Sequence, residues 1–127
     1  LVERVMRNLI GNAIRHTPQD GTILVEVVHK DEQDMVTVRV ANTGNPIPPD
    51  HAEAIFEKFR QVEGAPPVRG HKGSGVGLAF CKRAVEAHGG KIWLEAQGPL
   101  SGASFCMTLP VLTDADLDTT AVSDDII

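Results

Sequence analysis

Apolar residues recur at Val2, Val5, Met6, Leu9, Ile10, Ala13 and Ile14. Steps of three and four residues put them along one side of an amphipathic helix, which Pro18 and Gly21 bring to an end. The period then changes to two. Ile23, Val25 and Val27 alternate with Leu24 and Glu26, and Val36, Val38 and Val40 alternate with Thr37 and Arg39. Two strands are expected, joined as a hairpin by the polar turn Lys30-Asp31-Glu32-Gln33-Asp34. After the turn-rich stretch from Asn42 to Pro49, a short helix is expected through Ala54, Ile55 and Phe59. From Arg60 to Ser74 no period is visible, only Gly, Pro and charge. A loop of that length inside a compact domain is usually functional or disordered. A second helix is expected from about Val76 to His88, with Gly89-Gly90 where a helix C-cap belongs. Two further strands follow, Lys91 to Ala96 and Ala103 to Leu109, joined by a turn of Gly98-Pro99-Leu100-Ser101-Gly102.

Strand pairs with helices between them predict an α/β fold, a two-layer α/β sandwich with helices packed on one face of a mixed β-sheet. The regular strand–helix alternation of a doubly wound nucleotide-binding fold is missing.

At 127 residues the chain has the length of one domain. Its composition is 42% hydrophobic, enough for a core, yet no apolar run reaches the roughly 20 residues that span a bilayer. The chain opens on Leu1, already inside a helical pattern, and is read as a fragment. The formal net charge is −5, but Asp114, Asp116, Asp118, Asp124 and Asp125 all fall after Val111, where Lys and Arg are absent. The domain is therefore expected over residues 1–110 and is electrically neutral, with 111–127 an acidic linker or tail. A neutral body gives no support to a nucleic-acid surface. Cys81 and Cys106 lack metal or redox spacing and sit in apolar stretches, so two buried thiols are expected.

Three constellations carry candidate chemistry. Asn8 and Asn12 lie about 40° apart around the first helix, with Arg15 close to both. Paired carboxamides can offer oxygen ligands to Mg²⁺, which keeps several waters and takes phosphate oxygens for the rest. Two solvated asparagines on a helix are the plainer alternative. In His71-Lys72-Gly73-Ser74-Gly75-Val76-Gly77-Leu78, three alternate glycines run into a helix start. Glycine lets phosphate approach the backbone, and a helix N-terminus presents unpaired N–H groups. Neither the dinucleotide-binding nor the P-loop spacing is present. In Asn42-Thr43-Gly44-Asn45-Pro46-Ile47-Pro48, a short polar side chain beside a glycine ends a strand, which suits an adenine edge as well as an ordinary turn.

The order N-L-x-x-N-A, N-T-G-x-x-I-P, F-E-K-F at 56–59 and G-x-G-x-G-L resembles the catalytic domain of sensor histidine kinases, over about residues 1–110. That family shares the Bergerat ATP-binding fold with gyrase-type topoisomerases, heat-shock chaperones and mismatch-repair ATPases. The resemblance implies ATP and Mg²⁺ as ligands, with Asn12 and Asn8 at the metal. It implies phosphate contacts from Arg15, His16, Arg60, Arg69 and Lys72, with Gly73, Gly75, Val76, Gly77 and Leu78 around the triphosphate. Asn8, Arg15 and Lys72 would carry the transfer itself. Asn42 stands where the family usually has Asp, and with Gly44 and Ile47 it would face the base. Pro46 stands at a usual glycine. Phe56 and Phe59 match the phenylalanine box, at the base of a lid over about residues 60–74.

The reaction so implied is transfer of the ATP γ-phosphoryl group to a histidine of a separate helical dimerisation domain. A cognate response regulator or receiver domain would be the next partner. None of His16, His29, His51, His71 or His88 precedes an acidic residue, the context that an acceptor needs. The domain is expected in the cytoplasm, without direct membrane contact, though its parent protein can be membrane-anchored. Relatives that hydrolyse ATP carry a water-activating glutamate at the position of Asn8, and an amide cannot serve as that base. Asn42 and Pro46 support one other reading, a degenerate, non-catalytic nucleotide-binding or protein-interaction module of the same fold.

Overall fold

The computed structural model describes residues 1–30, 35–57 and 77–110, with the side chains of 28–30 left aside. Within these bounds the chain forms α1 (Val2–His16), β1 (Ile23–Lys30), β2 (Met35–Asn42), α2 (Gly77–Ala87), β3 (Ile92–Leu94) and β4 (Ser104–Pro110). Where one short helix was expected, two single-turn 3₁₀ segments stand at Pro49–His51 and Ala54–Phe56. Pro49 fixes φ at the first turn, and the chain is extended again at Glu57, so no α-helical ladder develops.

The two-layer α/β sandwich is present. The sheet order is β1-β2-β4-β3, and all three pairings among the described residues are antiparallel. The sequence suggested a mixed sheet, because β2 reaches β3 through a helix. Those two strands do run the same way, but β4 inserts between them, so every described neighbour pair is antiparallel. Register follows from burial: Val40 stands opposite Phe105, and Met107 lies between Val38 and Ile92. Val40, Phe105, Met107 and Ile92 are buried under the helices.

From α1 the core takes Val5, Leu9 and Ala13, and from α2 Ala79, Cys81, Ala84 and Val85. Each fully buried Val or Leu side chain among them contributes about 1.5–3 kcal/mol. Phe56 meets Phe105 edge-on with ring centroids 6.1 Å apart, which anchors the 3₁₀ segment to the sheet. The Arg4 guanidinium lies 3.9 Å from the Phe80 ring centre and joins α1 to α2. The last turn of α2 closes on a Schellman motif. Gly90 N–H donates to Val85 C=O and Gly89 N–H to Glu86 C=O, with Gly89 at φ +83°.

The alternation in β1 does not translate into burial. Val25 and Val27 are 45% and 69% exposed, because β1 is an edge strand and α1 lies over β2 instead. On the helix-free face, Arg39 donates to both carboxylate oxygens of Glu95, at 2.6 and 3.2 Å, and to Glu26 at 2.5 Å. Ser104 Oγ donates to Glu95 at 2.6 Å. The guanidinium holds Glu95 down to about 2, and the two carboxylates raise Arg39. Both cysteines are buried and free, as expected, and burial pushes each thiol up to about 12. They remain protonated near neutral pH and are poor nucleophiles.

Candidate functional site

The helix period carries Asn8, Asn12 and Arg15 along the flank of α1, beside the buried line of Val5, Leu9 and Ala13. Asn8 Nδ2 donates to the Arg4 carbonyl at 2.9 Å, one turn back, which commits its nitrogen and leaves Oδ1 as the outward atom. That oxygen lies against the first residue of α2: a β-carbon on Gly77 would come within 2.7 Å of it. Thus α1 and the N-terminal end of α2 meet at Asn8 and Gly77, though they are far apart in sequence. Leu78, the next residue, packs against the core and seats this end of α2.

Arg15 approaches Asn12 Oδ1 with an N···O distance of 3.5 Å, a long contact between partly buried groups. A cation and a hard oxygen acceptor therefore share one turn of α1. Burial, and next the charge of Arg15, lower the pKa of His16, which favours the neutral ring.

Asn42 ends β2 on the same face as Val40, toward the helices, and is 2% exposed. Its Nδ2 donates to the Thr43 carbonyl at 2.7 Å. Gly44 follows at φ +138°, where a side chain would be strained, and a β-carbon there would meet the His16 carbonyl at 2.7 Å. The turn is thus pressed against the end of α1. Ile47 is partly buried and packs against the core.

The described residues therefore bring together two groupings from the expected site: Asn8 with Gly77, and Asn42 and Gly44 with His16. Phe59, Arg60, Arg69, Lys72, Gly73, Gly75 and Val76 lie outside the described residues, as does the expected lid. Thr43, Thr22, Ser101, Gly21 and Gly102, none of which the sequence assigned to the site, surround Asn42. Thr43 Oγ1 accepts from Thr22 N–H at 2.9 Å, and Thr43 N–H donates to Thr22 C=O at 3.0 Å. Gly44 N–H donates to Ser101 Oγ at 3.3 Å. Gly21 and Gly102 pack so closely that a β-carbon on either would stand 2.5 Å from Thr43 Oγ1 or from the Asn42 carbonyl, respectively. The one signal for them was the glycine in each turn. Among the described residues, no group of three or more His, Cys, Asp or Glu side chains is placed to hold a metal ion.

Comparison with known proteins identifies what the chain is similar to. The adaptive-response sensory kinase SasA of Trichormus variabilis is 39% identical over 110 residues, which cover 87% of this chain and 26% of that protein. The chain thus spans about a quarter of the length of such relatives. Full-length ShkA in complex with AMPPNP superposes with a TM-score of 0.68 at 32% identity, over 87% of this chain and 21% of that one. The histidine kinase ThkA, solved with the response regulator protein TrrA, superposes with a TM-score of 0.65 at 33% identity, over 86% of this chain and 28% of that one. Residues 1–113 match the profile of histidine kinase-, DNA gyrase B- and HSP90-like ATPases. With Asn8 of α1 set against Gly77 at the start of α2, the chain belongs to that family.

Proposed function

We propose that this chain is the ATP-binding catalytic domain of a two-component sensor histidine kinase. It transfers the γ-phosphoryl group of ATP to a histidine on a separate helical dimerisation domain. The observation that carries this reading is the contact of Asn8 with Gly77, which sets an amide oxygen beside the start of a helix. Such a site suits a triphosphate with its divalent cation.

Asn12 and Asn8 would hold Mg²⁺. Both are neutral oxygen donors on one helix, and Asn8 Nδ2 already donates to the Arg4 carbonyl, so the donor set fits a hard cation. The ion supplies charge neutralisation on the phosphates. Arg15 and Lys72 position the triphosphate and stabilise charge on the γ-phosphoryl group, with Arg60 and Arg69 as further cations of the lid. His16, largely neutral at pH 7, serves as a hydrogen-bonding group rather than a charge. Gly73, Gly75, Val76, Gly77 and Leu78 bring backbone N–H groups to the phosphates. Asn42 accepts a hydrogen bond from the adenine amino group, Gly44 leaves room for the ring, and Ile47 and Phe59 flank it. The acceptor nitrogen attacks the γ-phosphorus and ADP leaves. The protein's contribution is positioning and charge stabilisation.

An asparagine at position 8 argues against water activation, so hydrolysis is slow. A response regulator is the downstream partner, in line with the ThkA–TrrA complex. No helix among the described residues is long and apolar enough to cross a membrane, and the domain works where ATP is, in the cytoplasm. The test is to supply a helical dimerisation domain carrying an acceptor histidine and to look for acid-labile phosphohistidine. Transfer to that domain supports the proposal. Nucleotide binding without transfer to any such domain favours the non-catalytic module.

A further inference from the structure

We infer that Ser101 is a positioning residue for base selection, acting through the peptide between Thr43 and Gly44 on the amide of Asn42. The inference rests on the nucleotide-binding reading above and deepens it.

Asn42 is 2% exposed, so its amide needs fixed partners. Its Nδ2 donates to the Thr43 carbonyl, which leaves Oδ1 as the acceptor. That carbonyl shares a peptide plane with the Gly44 N–H. In a trans peptide the two groups point to opposite sides. The Gly44 N–H donates to Ser101 Oγ, so Asn42 and Ser101 hold opposite ends of one peptide. Gly44, at φ +138°, has no side chain of its own with which to hold this peptide. The neighbouring bonds fix the residues on either side: Thr43 is paired with Thr22, and the Asn42 backbone with Ala103 and Gly102. For the 43–44 peptide itself, the external hold among the described residues is the Ser101 hydroxyl.

The chemical consequence is selectivity. With the peptide held, the amide presents an oxygen, which accepts from the amino group of a 6-aminopurine. With the peptide turned, Nδ2 loses its acceptor and the amide can rotate to present N–H, which suits a 6-oxopurine. Ser101 thereby biases the site toward ATP over inosine triphosphate.

The experiment is calorimetric titration of the parent protein, Ser101→Ala and Ser101→Thr with ATP and with inosine triphosphate. The parent binds ATP more tightly. In Ser101→Ala the ratio of the two affinities falls about threefold to tenfold, the effect of one neutral hydrogen bond. Ser101→Thr keeps the hydroxyl and restores the ratio. Ser101 is exposed, so the thermal midpoint of Ser101→Ala stays within about 2 °C of the parent. An unchanged ratio in Ser101→Ala, or equal loss for both nucleotides, overturns the inference and leaves the function standing. Failure of the parent to bind either nucleotide overturns both.

Discussion

Asn8 Oδ1 occupies the space that a side chain on Gly77 would need, 2.7 Å from the position of its β-carbon. To turn away, the asparagine must give up the hydrogen bond from its Nδ2 to the Arg4 carbonyl. In Gly77→Ala, the methyl group therefore displaces the amide from its place beside the start of α2. Alanine is otherwise the better helix former, which offsets up to about 1 kcal/mol of the strain. We expect thermal stability to change little while ATP affinity falls about tenfold, as measured by calorimetry beside a melting curve. A loss of stability with affinity retained would contradict this role for the contact.

Gly44 is different, since both its backbone and its surroundings exclude a side chain. At φ +138°, with the His16 carbonyl 2.7 Å from the would-be β-carbon, Gly44→Ala should destabilise the fold by about 1–3 kcal/mol. Denaturant unfolding measures the loss. A stability equal to the parent's would mean that the turn can move off α1.

How much of this was legible in the sequence depends on what kind of information each feature carries. The spacing of Val5, Leu9 and Ala13 specified α1, and Gly89-Gly90 marked the end of α2, because both are local. Burial of Val25 and Val27 was not legible, since alternation identifies a strand and not its place at a sheet edge. The insertion of β4 between β2 and β3 is likewise a long-range pairing, which spacing does not encode. At the site, Asn8, Asn12, Asn42 and the glycines stood out by residue type and order. Thr43 and Ser101 did not, because their work is done by one carbonyl and one hydroxyl in ordinary-looking turns.

Acid should unfold the domain in part through Glu95. Its hydrogen bonds from Arg39, followed by that from Ser104, outweigh burial and lower its pKa from 4.5 to about 2. A carboxylate with a depressed folded pKa contributes stability above its unfolded pKa and loses it as pH falls through the folded value. The contribution is therefore complete at pH 7 and disappears between about 4.5 and about 2. Glu95→Gln should melt at a lower temperature than the parent at pH 7, with the gap closing toward pH 2. A gap that stays constant across this range would show that the carboxylate charge has no part in it.

In the function proposed above, the amides of α1 and the start of α2 form a site for Mg²⁺ and ATP. Its most direct test is calorimetric titration of this chain with ATP, with and without Mg²⁺, beside Asn12→Ala. Binding should be saturable and weaken about tenfold or more without Mg²⁺, with a similar loss in Asn12→Ala with Mg²⁺ present. Asn12 is only partly buried, so the variant should remain folded. Absence of heat from well-folded protein at millimolar ATP, or binding indifferent to both Mg²⁺ and Asn12, would contradict it.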